Sequence, residues 1–381
     1  MEMGINFALE TSGKGWTLCL IGEDQSNKLA ELTQGLRGEF STTGDGKEIL
    51  SGFAYWSVGS AIAWDHACKD NFYFVMKESI KFFNSQWQQI HANNIKDKKY
   101  HYVSLGVGTG EKDQHILSIL LNTNPDLLYF PIDMSSEMLR FGVQKATERL
   151  QLKNDVITIQ IDFSIERNIG HLRELLDQIP NDNPVLFSLL GNTLANFQQD
   201  TELLQLLSKL MRPKDRLLIE VATTEDLNEE AAQTAAKEYA KTRLFKEFVT
   251  SALFQNTDLN IDLNSILFQG SIETNKAILI KVLYQNSTGK KIDVMLPDRS
   301  VMNFEPQDTI RLLLTRKYTS DGIKKSISDS NLIIVDRLHT PFEARSQSRF
   351  GIDLILLAPE SSGITSGISG TPLVTVWTPK R

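Results

Sequence analysis

Three glycines at every second position, Gly106, Gly108 and Gly110, interrupt an apolar run and lead into a polar, helix-forming stretch within Tyr102–Gln114, YVSLGVGTGEKDQ. Residues without Cβ take positive φ and let a backbone close on a ligand, and a helix starting there offers unpaired N–H groups. About twenty residues further on, a second short apolar stretch ends in Asp133, where a carboxylate accepts both hydroxyls of a ribose. The turn alone reads as well as a loop that merely needs flexible residues; the acid at the next strand end turns the balance towards a nucleoside site. The GxGxG spacing lacks the third-glycine pattern of pyrophosphate binders, which favours S-adenosylmethionine over a nicotinamide dinucleotide.

The elements that must position these residues are predicted from periodicity and turn chemistry. Strands are expected at 102–105, 128–132, 156–161, 185–189 and 216–221, alternating with helices at 113–121, 136–150, 170–178 and 201–211. Repeated βα units predict an α/β fold, a parallel, doubly wound sheet with its ligand across the carboxyl ends of the strands. Gly106–Gly110, Asp133, Asp162 and Gly191–Asn196 all fall there. Past 225 the pattern becomes α+β: a long helix over 225–254, strands at 276–285, 291–296 and 309–315, a helix at 320–328, and strands at 331–336 and 352–357. Before 49 lie a possible hairpin around Trp16–Ile21 and a helix at 28–36, to which no chemistry is assigned. The aromatic-rich segment from 49 to 87 reads mainly as core packing. The Ser/Gly/Thr-rich stretch after Pro359 reads as a flexible tail, with Leu373–Trp377 as one more possible strand.

Composition narrows the partners. With 381 residues, 41% of them hydrophobic, the chain has material for more than one domain core. A net charge of −7 argues against an extended phosphate-binding surface, so no nucleic-acid partner is expected. The absence of a long apolar stretch and of a leader-like start predicts no membrane association and a cytoplasmic location. The cysteines, Cys19 and Cys68, cannot form a disulfide framework and read as buried thiols, and the six scattered histidines give no ligand spacing, so no metal is expected.

A series of segments resembles the S-adenosylmethionine-dependent histidine-specific methyltransferase family, the type that trimethylates the α-amine of histidine on the way to ergothioneine. Tyr55–Ser60 (YWSVGS) is similar to that family's Y-x-x-V-G-S, Leu105–Lys112 (LGVGTGEK) to its LGSGTSEK and Phe130–Asp133 (FPID) to its FxPxD. Asp162-Phe163 is similar to its DF, and Leu190–Phe197 (LGNTLANF) to its LGSTIGN with an apolar residue following. The resemblance spans about residues 49–330, leaving 1–48 and the tail outside. It implies a class I methyltransferase, Rossmann-like, with a second α+β substrate domain and S-adenosylmethionine as cofactor, S-adenosylhomocysteine being the product. Carried over, it implies that the turn at Gly106, Gly108 and Gly110 holds the methionyl part, that Lys112 helps close that loop, and that Asp133 takes the ribose. Asp162 would take the adenine amine with Phe163 beside it; without the family context a carboxylate capping residues 165–168 reads equally well.

On the acceptor side the resemblance implies Tyr55 as an aromatic wall and Asn196 as the grip on an amino-acid backbone. Two departures stand out. The family's T-E-x-S-x-K-F appears as Leu312–Tyr318 (LLLTRKY), with Leu313 in place of the imidazole-holding glutamate and Thr315 at the serine. The family's tyrosine pair appears as Phe72-Tyr73. Both changes make that end of the pocket less polar and point away from histidine, towards a small amine or amino acid with an apolar or aromatic side chain. Methylation of a protein or peptide side chain, and a non-catalytic cofactor-binding partner protein, are the competing readings. The expected division is 1–94 and 226–360 as two parts of one substrate domain, 95–225 as the cofactor domain and 361–381 as a tail; the sequence leaves the oligomeric state open.

Overall fold

The computed structural model describes residues 16–20, 25–70, 74–152, 156–179, 181–342 and 349–360. In chain order the strands are β1 (Trp16–Leu20), β2 (Lys47–Glu48), β3 (His101–Leu105), β4 (Tyr129–Asp133), β5 (Val156–Gln160), β6 (Val185–Leu189) and β7 (Arg216–Thr224). They continue with β8 (Ile266–Glu273), β9 (Ala277–Gln285), β10 (Ile292–Met295), β11 (Val301–Phe304), β12 (Thr309–Tyr318), β13 (Leu332–Pro341) and β14 (Phe350–Pro359).

Parallel strands in the order β1-β5-β4-β3-β6-β7 form the sheet that the alternating pattern predicts. Strands β3, β4, β6 and β7 are buried along their whole length, as expected of near-continuous apolar runs covered by helices on both faces. The sheet extends past the expected boundary at 225. Strand β14 pairs antiparallel with β7, and β13 pairs antiparallel with β14. Residues 332–359 thus return to the cofactor sheet, where Ile352, Leu354 and Leu356 find a fully buried edge. Of the possible hairpin around Trp16–Ile21, the described residues hold β1, which adds parallel to β5 in the register Trp16↔Val156; its flanks lie outside the described residues.

Strand β12 leaves the sheet beside β7, where Tyr318 pairs with Thr223, and carries β9 and β8 antiparallel on its other side. The helix expected over 225–254 is two helices, Glu229–Ala240 and Arg243–Asn256. The Asn228 side chain caps the first, accepting from the Ala231 N–H at 2.8 Å. Its buried alanine face lets β8 lie close: a Cβ at Gly270 would stand 2.0 Å from the Ala232 carbonyl oxygen. That same glycine breaks the strand pattern in the sequence, which is why β8 is not legible there. No helix among the described residues is long and apolar enough to cross a membrane.

Candidate functional site

A cavity of about 410 Å³ opens over the carboxyl ends of β3–β6. Its floor is the glycine turn, where Gly106, Gly108 and Gly110 have φ of 74°, 55° and 75°. A Cβ built on Gly106 or Gly108 would meet its nearest non-neighbouring atom at an ordinary 3.9 Å, so the positive φ and not crowding is what calls for glycine at these two positions. A Cβ on Gly110 would strike the Gly142 carbonyl oxygen at 2.0 Å, so this glycine also lets the helix Glu111–Thr123 seat against the helix Ser136–Thr147. Beneath the turn, the buried Asp113 carboxylate accepts from Tyr102 at 2.7 Å and Tyr129 at 2.5 Å. Burial pushes its carboxyl up to about 6, against those hydrogen bonds.

Asp133, Asp162, Phe163, Tyr55, Lys112 and Asn196 line the same cavity. Asp133 ends β4 and accepts from the Ser135 N–H at 3.0 Å. Burial raises its carboxyl from 3.8 to about 7, only partly offset by that bond and by the Met134 N–H. Two hydroxyls donated by a ribose would favour the ionised form, so binding would expel the proton. Cofactor affinity is therefore expected to rise with pH up to about 7 and level off above it, by about tenfold per unit on the rising limb. Calorimetric titration with S-adenosylhomocysteine from pH 5.5 to 8.5 checks this; a flat affinity below pH 7 would detach Asp133 from the ligand. For folding the sign is the reverse of a salt-bridged carboxylate. The folded-state value lies above the unfolded one, so this group's contribution is fully present at low pH and is lost as pH rises from about 4 to about 7.

The two cations of the wall are held by carboxylates. Arg311 Nη2 donates to Glu48, and Lys112 Nζ donates to Glu220 and to the hydroxyl of Ser79. Fully buried Glu220 also accepts from the Gly191 N–H at 2.8 Å, so one carboxylate ties the helix Glu111–Thr123, the helix Phe74–Asn94 and the turn after β6 together. That turn is locked further by Asn192, whose Oδ1 accepts from the Ala222 N–H at 2.8 Å and whose Nδ2 donates to Thr315 Oγ1 at 3.1 Å. Arg316 donates to the carbonyls of Phe197 at 2.6 Å and Gln198 at 3.2 Å. Asn196 is thereby placed at the cavity edge. Glu220 was visible in the sequence only as an acid inside the run LLIEVA.

Tyr55 sits in an aromatic cluster, its ring centroid 5.2 Å from Trp64 and 5.0 Å from Phe248, with burial pushing its hydroxyl well above the usual tyrosine range. Leu313 and Thr315 are not brought to this cavity. Leu313 is packed in a core shared by residues 32–76 and 231–350 and Thr315 is bonded to Asn192, while Leu314 and Arg311 are the β12 residues on the cavity wall. The register slips at an irregularity between Arg311 and Leu313, which the motif spacing does not reveal. Phe72 and Tyr73 lie outside the described residues. Cys68 is a free, half-buried thiol.

The strand order β5-β4-β3-β6-β7-β14-β13, with β14 antiparallel, a glycine turn after β3 and an acid ending β4, defines a class I S-adenosylmethionine-dependent methyltransferase. The family described as histidine-specific methyltransferase, SAM-dependent, matches residues 29–348, and the chain belongs to it. No curated protein matches the chain. Among solved structures it is similar to an S-adenosylmethionine-dependent methyltransferase from Clostridium acetobutylicum, at 12% identity and TM-score 0.37, covering 73% of this chain and 91% of that one. It is similar also to magnesium protoporphyrin IX methyltransferase from Synechocystis with bound S-adenosylhomocysteine, at 13% identity and TM-score 0.38, covering 79% and 96%. These two likenesses are too distant to add to the family match.

Gly106, Gly108, Asp133, Asp162 and Phe163 line one cavity, where the glycine turn, the two carboxylates and the ring would hold S-adenosylmethionine, so the residues present fit the cofactor. When bound it supplies an electrophilic methyl on a sulfonium.

Proposed function

We propose that the protein N-methylates a small amine or amino acid whose side chain is apolar, and that histidine is a poor acceptor. The observation that carries this reading is the apolar part of the cavity lining, which includes Ile49, Phe53, Met76, Ile80 and Leu314, in a cavity where Glu48 and Arg311 are taken up by each other. An imidazole held against such a wall leaves N–H groups unpaired, at a cost of about 1–3 kcal/mol each. Methyl transfer from a sulfonium is an in-line displacement, so the chain's task is to orient the nucleophile and exclude water. The raised Tyr55 hydroxyl stays protonated, which suits it as a hydrogen-bond donor or packing surface and not as a base. Asn196 carries both a donor and an acceptor, which suits it to the polar end of the substrate.

Residues 49–80 and 311–314 contribute walls from opposite ends of the chain. This supports reading 1–94 and 226–360 as one substrate-binding unit, apart from β1, β13 and β14 on the cofactor sheet. The test is thermal stabilisation by S-adenosylhomocysteine together with a panel of amines and amino acids. Apolar and aromatic members should raise the midpoint beyond the cofactor product alone, and histidine should not. Stabilisation by peptides alone would move the proposal to a protein substrate.

A further inference from the structure

The helix Gln25–Leu36 reaches the site through Glu31, which lines the cavity, and through Lys28, which bonds to Asp162 on its wall. Lys28 is 7% exposed, and its Nζ donates to Asp162 Oδ2 at 2.9 Å and to Glu31 Oε2 at 3.1 Å. Asp162 Oδ1 accepts from the Ser164 N–H at 3.0 Å and from the Ser164 hydroxyl at 2.6 Å. The serine bonds are a local turn that any Asp-x-Ser segment can make. The lysine bond is not, because 134 positions separate the two residues and only the folded N-terminal helix joins them.

Both carboxylate oxygens are thus fixed on the cavity wall. Each carries two lone pairs, so Oδ2 can keep Lys28 and still accept an amine from the cavity. Burial pushes the Asp162 carboxyl up, but the Lys28 charge and the Ser164 bonds outweigh it and leave it below the usual range. Lys28 also lies just before the stretch that matches the family, residues 29–348.

We propose that Lys28 is a positioning residue for the cofactor's adenine, fixing the Asp162 carboxylate in the orientation that accepts the exocyclic amine. The proposal rests on reading Asp162 as the adenine acceptor. It gives the N-terminal segment, to which the sequence assigned no chemistry, a part in cofactor selection. Lys28 acts through Asp162, so removing both should cost no more than removing Asp162 alone.

The experiment is calorimetry of S-adenosylhomocysteine binding to the wild type, Lys28→Met, Asp162→Asn and the double variant, with Lys28→Arg as the conservative replacement. Each single loss is expected to weaken binding about tenfold, the double variant to match Asp162→Asn, and arginine to restore most of the affinity. A purely structural lysine would give additive losses and no selective recovery. Unchanged affinity in Lys28→Met, or additive losses, would overturn the proposal while leaving Asp162 in place. Unchanged affinity in Asp162→Asn would overturn the adenine reading itself. Where Lys28→Met does not fold, Lys28→Gln carries the same comparison.

Discussion

Replacing Asp133 by alanine is expected to weaken S-adenosylmethionine binding at least about tenfold, the largest loss at any cofactor-facing position. The residue ends β4 almost fully buried, and the Ser135 N–H occupies only part of its acceptor capacity. Two ribose hydroxyls meeting the ionised carboxylate gain roughly 1.5–3 kcal/mol each before compensation, and the net is smaller because the empty site raises the carboxyl towards neutrality. Titration of wild type and variant at pH 8, where the carboxylate is ionised, reads the full effect. Equal affinities would remove Asp133 from the ribose.

The largest expected effect on stability lies at Glu220. It is fully buried, and Lys112, Ser79 and Gly191 all donate to it. Glu220→Ala leaves the Lys112 ammonium in a nearly closed site without its carboxylate, a change that typically costs about 3–5 kcal/mol. The urea midpoint should fall accordingly. Replacing both partners with apolar residues, as in Lys112→Met/Glu220→Leu, should recover much of that loss, since an uncompensated buried charge costs more than an absent pair. If Glu220→Ala unfolds at the wild-type midpoint, the carboxylate does not hold the two helices and the turn after β6 together. If the double variant is as unstable as the single one, the cost comes from the lost acceptor for Gly191 and Ser79 and not from the stranded charge.

The parts of this architecture legible in the sequence are those governed by local rules. A strand-end glycine turn, an acid at the end of the next strand and the LGNTLANF turn each advertise themselves within a few residues, and the structure brings all of them to one cavity. Alternating strands and helices gave the parallel core for the same reason. What the sequence hid depends on tertiary contact. Strands β13 and β14 look like any apolar strands, and nothing local says that they return to β7 after β12 has left it. Glu220 and Lys28 stand alone among apolar and polar neighbours, respectively, and gain meaning only from partners 108 and 134 positions away. On β12 the side chains that line the cavity are Arg311 and Leu314 in place of the expected Leu313 and Thr315, and the slip between Arg311 and Leu313 changes which side chains share a face.

The same slip alters how acceptor choice should be probed. Glutamate at position 313 would enter a packed apolar cluster and be expected to destabilise the fold before it touched any substrate. Selectivity is better read on the wild type. The direct measurement is kcat/KM for histidine and for an apolar aromatic amine, followed as S-adenosylhomocysteine formed with the methylated product confirmed by mass. The account predicts that the apolar amine is preferred by at least about tenfold, the value of one unpaired imidazole N–H. Histidine methylated as efficiently as the best apolar amine would contradict it.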